Sequence, residues 1–552
     1  RVNRQFVDAL LDSEPNDLRE GFRTALFHQT GGHALFTVEL IRDMQERGDL
    51  VRDGDGRWVE SPSLDWHALP ARVEGVIAER IDRLDEALKE MLTVGSVEGE
   101  EFTAEVVARV QAMAEREAIL QLSGELAREH HLVRAQGLAR FGDLQLSLYR
   151  FLHNLFQQYL YGNLDEAERT YLHRDVGQVL ETLFTGQTEE VAAQIARHFE
   201  EAGIPAKAAA YRLQAGNRAR RMSANLEAVA HLKRGLELLT DLPQGPERLQ
   251  LELGLQTSLG TTLIATRGYA SPQMEQTFAR ARELCRALGD PPQVIPVLYG
   301  LCMFRTVRAE LKQAYEEGEQ LLLLAQRAGD VGYILGCHAQ LGGTAMYLGR
   351  FDDARAHLEQ AITLYDPSQH RDLAYHHGQD PCVTALSYLS RVLWFQGYSE
   401  QAMARQNATL DLARGLNHPH SLGLAISWAS VLNEMMRQWP ECQTQAEEAL
   451  QLASQGHFPL WQATAAMVHA TAIAYQGHVE EGIAELSQGL AAFEETGARL
   501  ALPYFRARLA ELYLLAGRQE DGLNALEESL YHTEQVWWLP EQYRLRAELL
   551  LL

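Results

Sequence analysis

Apolar and small residues recur on a beat of about 40 positions through the second half of the chain. Gly349, Gly397, Arg437, Gly477 and Gly517 hold the same place in successive units, and Ala309 opens the series. The steps between them are 40, 48, 40, 40 and 40 residues. Thirteen residues after each mark stands a branched apolar side chain: Leu322, Ile362, Leu410, Leu450, Leu490 and Leu530. Five residues after each mark stands a small one: Ala314, Ala354, Ala402, Cys442, Gly482 and Gly522. Seven residues before each mark stands another: Cys302, Gly342, Ser390, Ser430, Ala470 and Ala510. A period of this length, with small residues where two helices must touch, predicts helical hairpins stacked into a solenoid. Pro381, Pro419, Pro459 and Pro503 fall where the first helix of a later unit begins, a position that tolerates proline. Ser223 and Gly268 read as the marks of earlier, looser units, so the repeats run from about 205 to 552. The step of 48 places extra residues near 368–380, expected as a longer loop projecting from one edge of the solenoid.

The front of the chain is patterned differently. Residues 17 to 47 read as two helices broken at Thr30-Gly31-Gly32. Two extended runs, 49–52 and 57–60, flank Asp53-Gly54-Asp55-Gly56 and predict a hairpin. Pro70 precedes an amphipathic stretch with Val73, Val76, Ile77, Ile81 and Leu84 at helical spacing. Helices near 86–95, 103–111 and 115–130 lead into runs 131–134 and 144–151 around a glycine-containing turn. Three helices and a two-stranded ribbon form the element order of a winged-helix domain. From about 165 onward no segment reads as a strand. The expected fold class is therefore mainly α: a winged-helix domain with small β-hairpins, followed by an α-solenoid.

Composition narrows the function. At 552 residues the chain exceeds one compact core. The net charge of −25 argues against nucleic acid or a membrane surface as a nonspecific partner, since both need a basic field. The run Arg212, Arg218, Arg220 and Arg221 is the best basic face, and is read as a solvated helix side. Five cysteines, none in CxxC spacing, read as structural thiols of a cytoplasmic protein. No apolar run approaches the length of a membrane span. The first residue is Arg1 and the last four are leucines inside a helix-like stretch, which reads as a fragment of a longer protein.

Two sets of phrases carry a family resemblance. The phrases Tyr347-Leu348-Gly349-Arg350-Phe351-Asp352-Asp353-Ala354 and Leu515-Ala516-Gly517-Arg518-Gln519-Glu520-Asp521-Gly522 resemble tetratricopeptide repeats of the longer, superhelical kind. At the front, Thr30-Gly31-Gly32-His33-Ala34-Leu35-Phe36, followed by Glu39-Leu40, resembles the GGxP motif closing the helical lid of STAND-class signal-transduction ATPases. Ala34 stands in place of the proline. Phe151-Leu152-His153-Asn154-Leu155 resembles the MHD motif that ends their winged helix, with Asn154 in place of the aspartate. The nearest overall layout is that of large bacterial proteins with an adenylate/guanylate cyclase or other effector, a central ATPase and a C-terminal repeat array. Ser223–Ala228, His377–Pro381 and Tyr543–Leu550 fit it.

The resemblance implies four parts: the end of an ATPase lid with a hairpin (1–70), a winged helix (71–160), a helical neck (161–204) and tetratricopeptide-like repeats (205–552). It implies that His153 reaches the diphosphate of ADP, with Gly32 and His33 beside it. A histidine that merely caps or packs at a helix start is the other reading of His153. ATP or ADP with magnesium is expected in the full-length protein and no cofactor in this stretch. Partners are a protein or small molecule on the concave face, the ATPase and effector domains in cis, and further copies on activation.

Other chemistry is thin. No GxxxxGK[ST] loop is present, so the chain by itself is not read as an ATPase or other enzyme. His370, His376, His377, Asp372, Asp380 and Cys382 match no strong zinc spacing. Trp537 and Trp538 read as core packing between helices. The leading functional reading is a sensing and protein-interaction arm that relays ligand binding to a nucleotide switch gating an upstream effector. A transcription regulator of the same layout and a plain repeat scaffold are the alternatives.

Overall fold

Every mark of the 40-residue beat lies in left-handed backbone space. In the computed structural model, φ is +63° at Ala309, +73° at Gly349, +84° at Gly397, +58° at Arg437, +108° at Gly477 and +71° at Gly517. Ser223 (+59°) and Gly268 (+88°) share the property. A left-handed residue just past a helix end reverses the chain and lets a second helix fold back on the first. Glycine does this freely, whereas a residue with a Cβ, such as Ala309 or Arg437, bears about 1–2 kcal/mol.

The structure describes residues 4–30, 32, 34–62, 64, 66, 71–142, 144–530 and 533–551. It divides into two units, Arg1–Tyr211 and Arg212–Leu552. In the second unit, helices pair as Pro246–Arg267 with Pro272–Ala287, Val294–Val307 with Leu311–Ala328, and Val331–Tyr347 with Phe351–Leu364. Pro381–Phe395 with Ser399–Leu416, Pro419–Met435 with Trp439–Gly456, Pro459–Tyr475 with Val479–Glu495, and Leu502–Leu515 with Gln519–Leu530 continue the series. The small residues before and after each mark face one another across the hairpin. The Cys302 thiol donates to Ala314 O at 3.1 Å, and the Cys442 thiol to Ser430 O at 3.5 Å. A Cβ on Gly482 would stand 2.5 Å from Ala470 O, and one on Gly342 3.1 Å from Ala354 O and 2.5 Å from Leu358 Cγ. The beat is thus a record of helix–helix contact distance. All five cysteines are free and buried.

The array also touches itself at long range. The amides of Arg499 and Leu500 both donate to Val307 O, at 2.8 and 2.9 Å. The Val536 amide donates to Tyr347 O at 3.1 Å. In each case a loop reaches the end of an inner helix four hairpins earlier in the chain. The superhelix therefore closes on itself, and large side chains fill much of its interior. Trp537 and Trp538 belong to that filling, packed against Tyr347, Phe395 and Tyr504.

The extra residues in the step of 48 do not project outward as expected. They form two short helices, Pro367–His370 and Leu373–His377, and turn inward. Ala374, His377, Gln379 and Asp380 are all buried. Arg220 donates to Tyr375 O, so this arginine is tied to the insertion rather than solvated, and burial lowers its pKa to about 10. Gly378 (φ +80°) passes so close to the helix Pro246–Arg267 that a Cβ there would meet Ile264 Cδ1 at 3.0 Å. Apolar and small side chains drive the insertion inside: Ala374 finds a core, and His377 lodges between Tyr299 and Tyr333.

The first unit opens with helices Arg4–Leu11, Glu20–Thr30 and Ala34–Arg47, around a core of Val7, Leu11, Phe22, Leu26, Leu40 and Met44. The hairpin Leu50–Arg52 and Trp58–Glu60 follows. Further on, helix Glu86–Glu98, strand Glu101–Thr103, helices Ala104–Val110 and Glu115–Gln121, and strands Val133–Phe141 and Leu144–Phe151 succeed one another. The sheet has three antiparallel strands rather than the expected two, with Leu144–Phe151 in the middle. The carboxylate of Glu105 accepts the Ser147 amide at 2.9 and 3.0 Å and fixes the helix against the sheet. Among the described residues no strand follows Phe151. No described helix is long and apolar enough to cross a membrane.

Candidate functional site

Nine and six residues before each turn mark, the first helix of a hairpin turns a side chain toward the interior. The first of these positions holds Gln340, Tyr388, Trp428, Val468 and Arg508; the second holds Gly343, Arg391, Val431, Thr471 and Glu511. Successive helices thus bring unlike side chains to one inner wall. Tyr299, Met303 and Thr306, then Gln340, Tyr388, Trp428 and Trp461 surround a cavity of about 70 Å³, which Tyr269, Gln379, Phe493 and Leu500 complete. At about 10–15 Å³ per water, it has room for a handful of solvent molecules or one slim apolar group.

The walls are mostly aromatic and aliphatic, and their polar atoms are oriented. The Gln340 amide donates to Cys302 Sγ at 2.6 Å and to Thr306 Oγ1 at 3.3 Å. Tyr269 donates its hydroxyl to Gln379 of the insertion. Trp461 Nε1 donates to His420 Nε2 at 3.0 Å. An indole can only donate, so His420 carries its proton on Nδ1 and donates it to Gly378 O at 3.0 Å. That neutral tautomer is enforced, and burial pulls the imidazole pKa down to about 3. Asp380 caps the next helix: its carboxylate accepts from Val383 N at 2.8 Å and Tyr365 OH at 3.2 Å, and burial raises its pKa to about 6. Among the described residues no cluster fit for a metal ion forms; His377 packs against Tyr333 and His370 against Tyr365.

Deeper in the interior lie two buried arginines with opposite surroundings. Arg508 pairs with Glu511 at 2.7 Å and with Glu541 at 3.8 Å. Beside it Glu434 accepts the Tyr504 hydroxyl at 2.6 Å, and burial lifts its pKa to about 7. Arg391 is wholly buried, and none of its three guanidinium nitrogens has a hydrogen-bond partner among the described residues. Its guanidinium lies 3.8 Å from the ring centre of Trp428 and 4.8 Å from that of Tyr388.

In the first unit the two phrases singled out by sequence come together. His153 immediately precedes the helix Asn154–Gly162, its ring edge-on to Phe36 at 5.4 Å and tilted on Phe156 at 6.0 Å. Asn154 and Gln158 donate to Gln29 Oε1 at 3.1 and 3.2 Å. Gly32 (φ +70°) donates its amide to Thr30 Oγ1 at 3.3 Å, and Thr37 Oγ1 donates to the same oxygen at 3.0 Å. His33 lies outside the described residues.

Sequence reasoning found the phrases of the first unit but missed the inner wall of the second. The signal was present: counted back from the turn marks, Arg391, Arg508 and Glu511 are charged residues at positions the solenoid must bury.

No protein-family model matches the chain. It is 22% identical over 534 residues to the uncharacterized protein R02095 of Rhizobium meliloti (strain 1021), covering 94% of this chain and 49% of that protein. The chain thus spans about half the length of that curated relative. Among solved structures it is similar to the STAND protein PH0952 of Pyrococcus horikoshii, described as having a tetratricopeptide repeat sensor. That match has a TM-score of 0.36 and 12% identity, over 99% of this chain and 69% of that one. It is also similar to the Rap conjugation gene regulator of plasmid pLS20 in complex with the Phr* peptide. Here the TM-score is 0.43 and identity 14%, over 60% of this chain and 97% of that one.

Proposed function

We propose that this chain is the sensing and relay arm of a STAND-class signal-transduction ATPase whose phosphate-loop domain lies elsewhere in the full-length protein. The observation that carries the proposal is the inner cavity. Its wall is assembled from helices spread between Tyr269 and Leu500, so a ligand there touches most of the array at once. A ligand shifts an equilibrium only by its differential affinity for the two states, and a site shared by many hairpins changes with the curvature of the array. A small molecule, or one apolar side chain of a peptide, seated in it would favour one curvature. The chain itself performs no catalysis in this reading; hydrolysis belongs to the ATPase domain and output to an effector such as a nucleotide cyclase.

The three-helix, three-strand segment of the first unit acts as a winged helix, with His153 at its exit. ADP or ATP with magnesium, held by the ATPase domain, would supply the phosphate charge. His153 is half-buried and held between Phe36 and Phe156, so its N–H has a fixed direction in which to meet a phosphate oxygen. Gly32, its amide engaged by Thr30, keeps the adjoining turn in shape. The test is His153→Ala in the full-length protein. Faster release of bound ADP and higher basal output are expected; unchanged ADP release and output would overturn the assignment.

A further inference from the structure

The helix Val294–Val307 serves two hollows. It presents Tyr299, Met303 and Thr306 to the cavity, and from its other side Leu298, Leu301 and Arg305 to a groove of about 640 Å³. The helices Pro272–Ala287 and Leu311–Ala328 form the walls of that groove. Arg282 and Arg286, one turn apart, stand on the first wall. On the second, Glu317, Gln320, Leu321, Leu324 and Arg327 follow one helical stripe, which runs for about 15 Å at the usual rise per residue. Leu298, Leu301 and Leu324 are half-buried, and Leu323, also part of the lining, is 55% exposed. The charge is one-sided: the groove has four arginines against one carboxylate, in a chain whose net charge is −25. Arg305 engages that carboxylate, Glu317, at 2.8 Å, and Arg282 pairs with Asp290. Arg286 and Arg327 are exposed and form no ion pair among the described residues.

The repeat itself shows that the fold does not require these side chains. Arg286 and Arg327 stand eighteen residues after their turn marks, Gly268 and Ala309. In the next four hairpins that place holds Pro367, Gly415, Gln455 and Glu495. A cation suits the last turn of a helix, yet those hairpins form without one. Fourteen residues after the mark, where Leu323 stands, they carry Thr363, Asp411, Gln451 and Ala491. An exposed leucine and two unpaired arginines on one groove thus depart together from the pattern of the array. We infer that this groove is a docking surface for an amphipathic helix with acidic flanks, contributed by a partner protein. Three helices already supply a floor and two walls, and the ridges of a fourth fit between such rows of side chains. Its apolar face would meet Leu298, Leu301, Leu323 and Leu324, and its carboxylates would reach Arg286 and Arg327. The length of the groove accommodates about three helical turns. Docking here is independent of what the cavity holds.

The experiment uses the whole chain and a fluorescein-labelled peptide of about 18 residues, with leucines on one helical face and glutamates on both flanks. A second peptide carries lysine at every glutamate, and a third keeps the glutamates but has prolines at its centre. Binding is followed by fluorescence anisotropy. At a net charge of −25 the chain as a whole favours the lysine peptide, so preference for the glutamate peptide reports a local site. The glutamate peptide is expected to bind about tenfold more tightly than either of the others, and less tightly as salt rises from about 50 to about 300 mM. Arg286→Gln together with Arg327→Gln should remove the preference, and Leu323→Ser should weaken binding about tenfold. All three side chains are exposed, so an unchanged melting temperature verifies that the variants fold. No binding of the glutamate peptide, or binding no tighter than that of the lysine or proline peptide, would overturn the acidic helix. Undiminished binding by the variants would overturn the groove as its site. Self-association lost in Leu323→Ser, or binding of phosphatidylglycerol vesicles lost with the two arginines, without binding of the glutamate peptide, would give the groove to a second copy or to a lipid surface instead.

Discussion

His377 offers a direct measure of how tightly the insertion is held inside the array. Its ring centre lies 4.6 Å from Tyr333 and 4.9 Å from Tyr299, and neither ring nitrogen has a hydrogen-bond partner among the described residues. Burial, with His376 alongside, pulls its pKa down to about 3. In the unfolded chain a histidine titrates near 6.5. The folded pKa is depressed, so the folded state is the one that refuses the proton. The contribution to stability is full above about pH 6.5 and is lost progressively as pH falls toward 3. Between pH 7 and pH 5 this one residue should remove about 2 kcal/mol, and by pH 4 about 3 kcal/mol. His377→Phe cannot take up a proton. Its wider ring crowds Gly336, where a Cβ would already stand 2.9 Å from His377 Cε1. That packing cost is the same at both pH values, so the difference between them isolates the proton. Urea unfolding at pH 7 and pH 5 should show the variant losing about 2 kcal/mol less than the unaltered protein. Losses equal within about 0.5 kcal/mol would mean that His377 is hydrated or paired when folded, and would refute the dry site described above.

Other outcomes follow from the geometry. Ala309→Gly should stabilise the array by about 0.5–1 kcal/mol in urea unfolding, because glycine relieves the left-handed strain at some cost in chain entropy. Arg437→Gly should gain less, since it also gives up the 3.6 Å ion pair with Glu511. Gly342→Ala should cost about 1–3 kcal/mol by forcing a methyl against Leu358 and Ala354 O. Gly415→Ala, with nothing within 4 Å of the added carbon, should be neutral or stabilising by up to about 1 kcal/mol in the same assay. If Gly342→Ala and Gly415→Ala behaved alike, the small positions would not report helix contact.

The hairpin array was readable in the sequence because its signals are local. A left-handed turn, a small residue before it and a small residue after it all act within one hairpin, and spacing records them faithfully. The direction of the insertion was not readable in this way. The stretch 368–380 contains His370, His376, Asp372 and Gln379, a composition that suits an exposed loop. Yet Ala374, Gly378 and His377 find partners on helices Pro246–Arg267 and Val294–Val307, far back along the chain. Arg220 was misread for the same reason: its partner is a carbonyl more than 150 residues away. The third strand, Glu101–Thr103, is too short to show alternation and exists because Leu144–Phe151 offers it an edge. In the candidate site, His153 was legible as a phrase and the inner wall was not. A binding wall assembled from one or two side chains per hairpin has no contiguous signature.

The three backbone hydrogen bonds that close the superhelix, from Arg499 and Leu500 to Val307 and from Val536 to Tyr347, alter how the array bears load. An open stack of hairpins behaves as a spring, with each joint yielding independently. Joined to itself, this one is closer to a clasped ring. Pulling on its ends loads the clasp before the hairpins between Val307 and Arg499, and a signal passed through them by stretching must first unfasten it.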